Sequence, residues 1–245
     1  SQLHPLESQN PLIQKILMKK TYYLFNPGRL SRTDNTLKFT PNPSKEETPK
    51  PKYLPINGVK SLYILGSLDA NSALYNFLGK HQIPVHFFDY YQHYTGSFMP
   101  KEFLQAGKMQ IAQTQYYLDR FKRQTLARKI LKGAAHNLLK NLQYYQNRGR
   151  DLKELMGQIK QLSSSFSCLQ KEQEIPELMG VEGNIRQLYY QSFDQIVKHL
   201  PFEYRSKQPP HNELNALISF GNMLSYTACL DQKYHTQLNP TITFL

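Results

Sequence analysis

The stretch LMGVEGNIRQLYY, from Leu178 to Tyr190, sets one carboxylate, Glu182, between Gly180 and Gly183. The pattern predicts a helix entered near Val181, with Glu182 in its first turn. There the free backbone N–H groups and the positive end of the helix dipole favour the ionised form. An ionised carboxylate held in place is a good ligand for a hard metal ion. Ile185, Tyr189 and Phe193 follow at three, seven and eleven residues and mark that side of the helix as buried. The plainer alternative is an acid at a helix start, paired with Arg186 one turn on.

Three further groups of residues could meet a polyanion. In HNELNALISFGNMLSYTACL, the polar side chains Asn215, Ser219, Asn222 and Tyr226 recur at steps of four, three and four, while Leu214, Leu217, Ile218, Met223 and Leu224 read as core. Buried polar groups need partners, so the stripe lines either a wet cleft or a hydrogen-bonded helix contact. Just upstream, EYRSKQPPH carries Arg205 and Lys207 in a proline-stiffened loop within reach of a phosphate backbone. Lys129, Lys132, His136 and Lys140 fall on one helix face, which is either simply solvated or tracks phosphates.

The balance of charge favours such a partner. Thirty Lys and Arg stand against 18 Asp and Glu, a formal net charge of +12, and the excess is shared as +5 over residues 1–100 and +7 over the rest. Cationic side chains facing phosphates release condensed counterions and gain salt-dependent affinity; a basic surface with no ligand is the bland alternative. Other chemistries find no support. Cys168 and Cys229 have no second Cys or His at ligand spacing, which argues against a zinc site or a disulfide framework. The eight His form no HxH or HExxH pair, and His86, between Val85 and Phe87, reads as a satisfied sheet residue. There is no Walker loop, dinucleotide fingerprint or nucleophile elbow. With no signal peptide and no long apolar run, a cytoplasmic location is expected.

Two domains are expected to position these groups. Residues 18–98 are dense in Tyr, Phe, Ile, Val, Pro and Gly, and residues 101–245 in Leu, Gln, Lys, Ala and Asn. The fold class is therefore α+β: an N-terminal β-rich, sandwich-like domain over 18–98, then an all-α domain over 101–245, jointed at Pro100. Strands are predicted at Tyr22–Phe25, in a hairpin about Thr33-Asp34-Asn35, at VKSLYILG, at IPVHFFDY and at HYTGSFMP. A short helix is predicted at Ala70–His81, with Leu74, Phe77 and Leu78 inward, and PNPSKEETPKPKYLP reads as a solvated loop. Helices follow at Phe121–Asn147, with an apolar stripe of Ile130, Leu131, Ala134, Leu138 and Leu142, and at Asp151–Leu162, Val181–Leu200 and Asn212–Leu230. MKKTYYLF at Met18 reads as a start, so residues 1–17 are a tag remnant, an extension or the end of a fused module.

Five blocks resemble one family in order: MKKTYYLFNPGRLSR, IPVHFFDYYQHYTGSFMP, ELMGVEGNIRQLYY, PPHNELNALISFGNMLSYT and QLNPTITFL. The chain from Met18 to Leu245 is similar to the CRISPR-associated spacer-acquisition integrases, the first-numbered Cas proteins. The resemblance implies a β-rich domain that forms a homodimer, an all-α domain with a Mn²⁺ or Mg²⁺ site, and a small ferredoxin-like partner, the second-numbered Cas protein. It also implies a reaction, the insertion of spacer DNA into the CRISPR array: a 3′-hydroxyl attacks a phosphodiester while a metal polarises the phosphate. The family's G-[MIV]-E-G block falls on Gly180, Val181, Glu182 and Gly183, so Glu182 is the implied metal ligand and catalytic carboxylate. The DNA face expected from charge and spacing comprises Arg205, Lys207, Asn215, Ser219, Asn222, Tyr226, Lys129, Lys132 and Lys140. The family's other two ligands, a His directly after an ISF-like run and a later Asp, would follow Thr241–Leu245, and His235 does not match that position. The chain thus reads as an integrase with one third of its metal site. The alternatives are a nuclease-dead dimer that binds nucleic acid and an unrelated basic RNA-binding or structural protein.

Overall fold

The computed structural model describes residues 19–43, 50–101, 107–167, 174–207 and 209–245. The expected extension 1–17, the start at Met18 and Cys168 lie outside the described residues. The chain divides into two compact units, one drawn from Ser1–Gln105 and Met223–His235 and the other from Ala106–Asn222 and Thr236–Leu245.

The first unit holds eight strands: β1 (Lys20–Leu24), β2 (Gly28–Thr33), β3 (Thr36–Pro41), β4 (Lys52–Pro55), β5 (Val59–Ile64), β6 (Leu68–Asp69), β7 (Val85–Phe88) and β8 (Tyr94–Phe98). They form two four-stranded sheets, ordered β1-β5-β7-β8 and β4-β3-β2-β6. Strand β5 is buried along almost its whole length and pairs parallel with β1 and β7, as expected of an apolar strand in the middle of a parallel array. Strands β2 and β3 alternate, with Leu30, Leu37 and Phe39 inward, and are closed by a two-residue turn in which Asp34 takes φ 53°. Helix α1 (Ser72–Lys80) is capped by the Asn71 side chain, which accepts from the Leu74 N–H, and it buries Leu74, Phe77 and Leu78 against both sheets. Gly66 lets two turns meet: a Cβ there would lie 2.4 Å from the Phe25 carbonyl oxygen. The proline-rich segment departs from expectation, because its last residues pair with β3 as strand β4.

The second unit is helical: α2 (Lys108–Leu118), α3 (Arg120–Gln146), α4 (Lys153–Ser164), α5 (Ile175–Gln191), α6 (Phe193–Ile196) and the first part of α7 (Glu213–Tyr234), whose last residues belong to the first unit. Among the described residues no strand follows Phe98. Helix α3 packs through Ala127, Leu131, Ala135 and Leu142, whereas the expected Ile130 is 49% exposed and Ala134 is exposed. The buried face runs at steps of four through small residues, which lets neighbouring helices approach closely. Helix α2 has no apolar period to betray it. Its buried residue is Gln113, whose Nε2 donates to the carbonyls of Asn239 and Ile242, both at 3.0 Å, while its Oε1 accepts from the Asn239 N–H. Among the described residues no helix is long and apolar enough to cross a membrane.

Candidate functional site

Helix α5 begins at Ile175, six residues before the expected entry, because Pro176 fits the first turn, where its missing N–H has no acceptor to satisfy. Glu182 therefore stands in the middle of the helix, and the predicted help from free N–H groups and the dipole end is absent. Its charge is met instead by Arg186, whose Nε donates to Oε1 at 2.7 Å. The carboxylate is 22% exposed and the guanidinium 58%. Gly180 and Gly183 flank it mid-helix, and a Cβ at either would meet nothing within 4 Å. Neither glycine is required by packing, so both leave the helix surface beside Glu182 bare. Ile185 is buried below, and burial pushes the Tyr189 phenol above its ordinary value.

Two cavities adjoin this turn. One, of about 520 Å³, lies among α3, α5 and α7 and has largely apolar walls, including Leu131, Leu138, Ile185 and Ile218, with Glu182 and Arg186 at its edge. The other, of about 480 Å³, is lined by Arg186, Gln187, Tyr190, Tyr204, Arg205 and Lys207 among others. Arg186, Tyr190 and Asn222 line both. The second cavity thus joins cations to aromatic faces and amides, a combination suited to a nucleic-acid backbone and its bases.

The loop before α7 is held by polar bonds. Arg205 donates from Nη1 to Asn215 Oδ1 at 2.9 Å and from Nη2 to Ser219 Oγ at 2.8 Å. Asn215 Nδ2 donates to the Tyr204 carbonyl, and the Ser206 N–H donates to Asn215 Oδ1. Asn212 donates to the carbonyls of Pro201 and Phe202, and Asp194 accepts from the Phe202 N–H at 2.8 Å.

The predicted polar stripe on α7 therefore separates. Asn215 is fully buried, so its side chain is scaffold and presents nothing to DNA. Ser219 is half-buried and accepts from Arg205. Asn222 is exposed and lines both cavities. Tyr226 is 60% exposed, but it belongs to the other unit, where its ring meets that of Tyr94. Leu217, expected in the core, is 59% exposed, and Leu214, Ile218, Met223 and Leu224 are only half-buried. Lys129, Lys132, His136 and Lys140 all lie exposed on α3, a helix without a single Asp or Glu.

In the first unit the structure also assembles a buried polar cluster. His86 is fully buried; its Nδ1 lies 2.6 Å from Ser97 Oγ, and its Nε2 lies 3.7 Å from Oδ1 of the buried Asp231. Lys60 Nζ lies 3.9 Å from Oδ2 of the same carboxylate. Burial first, and the Asp231 carboxylate second, hold the Tyr63 phenol far above its usual range. No sequence motif links residues 86 and 231; the sequence reading of His86 as a satisfied residue holds for Nδ1, which meets Ser97, but not for Nε2, which has no hydrogen-bond partner.

The residues present do not make a divalent-metal site. Glu182 is one carboxylate with a guanidinium already on it, and among the described residues no three His, Cys, Asp or Glu side chains gather. Hard divalent cations take about six to eight oxygen ligands, or fewer completed by water; one engaged carboxylate does not fix such a shell.

Two four-stranded sheets followed by a helical unit define the class as an α+β protein, in which a glycine-flanked carboxylate adjoins one largely apolar cavity and one lined by Arg186, Arg205 and Lys207. Residues 22–245 match the family model for the CRISPR associated protein Cas1, and the chain belongs to the Cas1 family. It is 44% identical over 231 residues to a CRISPR-associated endonuclease Cas1 of Thermodesulfovibrio yellowstonii, covering 93% of this chain and 67% of that one. Among solved structures it is similar to a Cas1 protein of Thermotoga maritima, at 33% identity and a TM-score of 0.74, over 92% of this chain and 68% of that one. A casposase bound to its integration product has the same fold, at 20% identity and a TM-score of 0.69, over 92% and 64% of the two chains. The chain spans about two thirds of the length of its curated relatives.

Proposed function

We propose that this chain is the greater part of a nuclease and integrase of CRISPR adaptation. It binds DNA through its helical unit and pairs with a second copy through its β-rich unit. It works with the small ferredoxin-like second Cas protein to insert spacer DNA into the array. The observation that carries the reading is the bare Gly180-Val181-Glu182-Gly183 turn, which borders cavities lined by Arg186 and Lys207. The DNA face comprises Lys207, Asn222 and the α3 row Lys129, Lys132 and Lys140, all exposed. Phosphate contacts of this kind position a duplex without reading its sequence.

The catalytic part of the proposal assigns Glu182 as the carboxylate on which activity with Mn²⁺ or Mg²⁺ depends. Among the described residues the side chains present do not complete a metal site around it. The test is strand transfer into a supercoiled plasmid carrying a CRISPR repeat, with the partner protein present. The 245 residues should bind DNA without cleaving or joining it. A protein of the relatives' full length should do both, and Glu182→Gln within it should abolish both while keeping the fold. Metal-dependent integration by the 245 residues, or full activity of the Glu182→Gln protein, would show the carboxylate to be misassigned. The second reading, a DNA-binding dimer without nuclease activity, draws on the Arg186–Glu182 pair and predicts an inactive full-length protein.

A further inference from the structure

Arg205 combines two properties that seldom go together. It carries a full positive charge beside a cavity, yet every bond found for its guanidinium goes to a neutral acceptor: Asn215 Oδ1, Ser219 Oγ and main-chain carbonyls. Those bonds engage both terminal nitrogens and tie the loop to the first turns of α7. The loop is also held at its start by Asp194 and Asn212 and at Ser206 by the His211 N–H, with the Tyr204 ring stacked on His211. It contains Glu203 at φ 59°, a left-handed conformation unfavourable to a residue with a side chain, and its Lys207 is exposed. Asn215 completes the tie from the other side, because its amide bonds the main chain at Tyr204 and at Ser206, on either side of Arg205.

We propose that Arg205 is a positioning residue, whose bonds to Asn215 and Ser219 fix the loop so that Lys207 is the group that meets a DNA phosphate. The proposal rests on the reading of this cavity as part of the DNA face. A fork of N–H donors committed to two side chains in one plane is well suited to setting a loop, whereas an exposed ammonium on a flexible stem is suited to a mobile phosphate. Arg205→Lys should therefore fail to restore what Arg205→Ala loses, even though the charge is kept, because a single ammonium cannot reach both acceptors in the same geometry.

Two measurements on the 245-residue protein test this. The first is hydrogen exchange of the loop without DNA in Arg205→Ala, Arg205→Lys and the milder Ser219→Ala, which removes one acceptor and no charge. Exchange over residues 202–207 should quicken in all three; unchanged exchange overturns the proposal whatever DNA does. The second is the salt dependence of binding to a fluorescein-labelled duplex. Lys207→Ala should lower the magnitude of the logarithmic salt slope by about one. Arg205→Ala should do the same, and the double variant should lose no more than either single one. Additive losses would make Arg205 a phosphate contact in its own right and overturn the proposal. A neutral Lys207→Ala, in a protein still weakened by Lys129→Ala, would overturn the role of Lys207 while leaving the wider DNA reading intact. Wild-type protein without salt-dependent DNA affinity would overturn that reading, and the exchange result would then refute or retain the loop tie alone.

Discussion

Asp231 and His86 are individually unremarkable in the sequence, but they meet with their facing atoms, Oδ1 and Nε2, 3.7 Å apart and both out of contact with solvent. Ser97 orients the ring from Nδ1, and Tyr94 in turn lies 2.7 Å from Ser97 Oγ, so bonded polar groups run from β8 to β7 and Asp231 of α7 faces them from beyond hydrogen-bond distance. Removing a buried ring leaves the polar groups beside it uncompensated, at a typical cost of about 1–3 kcal/mol. His86→Ala should therefore lower the stability measured by urea unfolding by about that much, whereas Ser97→Ala should cost only about 0.5–1.5 kcal/mol, the net value of one hydrogen bond. If His86→Ala cost no more than Ser97→Ala, Asp231 would have to be stabilised by Lys60 and Gln232 without the ring.

Helix α5 carries a local contradiction. Its interior includes Gly180 and Gly183, each less favourable in a helix than Ala by about 0.5–1 kcal/mol, and neither relieves a clash. Natural helices tolerate such a cost where close approach of another molecule needs a bare surface. Gly180→Ala and Gly183→Ala should each raise the unfolding free energy by about 0.5–1 kcal/mol, because the helical conformation is unchanged and the unfolded chain loses freedom. Gly183 also lines the cationic cavity, so Gly183→Ala should weaken DNA binding while stabilising the fold. A gain in stability with no change in DNA affinity would mean that no DNA backbone approaches that turn.

Across the chain, charge does what no single residue does. The formal net charge of +12 is spread over both halves, and α3 contributes a long cationic row that no acid on that helix offsets. Each phosphate neutralised on duplex DNA contributes about 0.9 to the magnitude of the logarithmic salt slope. Replacing Lys129, Lys132 and Lys140 together by Ala should reduce that slope by about 2.7 if each meets a phosphate, and sequence preference should stay weak throughout. Fluorescence anisotropy over a salt series measures both. A slope equal to that of the unaltered protein would leave the α3 row as a solvated face.

Periodicity and composition settled the division into a β-rich part and a helical part and the burial of Leu74, Phe77 and Leu78. These follow from local rules, because alternation and helical spacing act within a few residues. The start of α5 was misjudged because Gly180 and Gly183 look like punctuation in one dimension, whereas Pro176 in a first turn permits a longer helix. On α3 the expected Leu131, Leu138 and Leu142 do pack, but Ile130 and Ala134 lie outside and Ala127 and Ala135 inside, because neighbouring helices choose which edge of the stripe is covered. The pairing of Glu182 with Arg186 was legible as an i, i+4 spacing, but tertiary structure alone decided that Asn215 is scaffold rather than contact and that Tyr226 parts company with Asn222. It alone brought Asp231 to His86, since an unpaired buried group finds its partner by packing in three dimensions and leaves no spacing in the chain to reveal it.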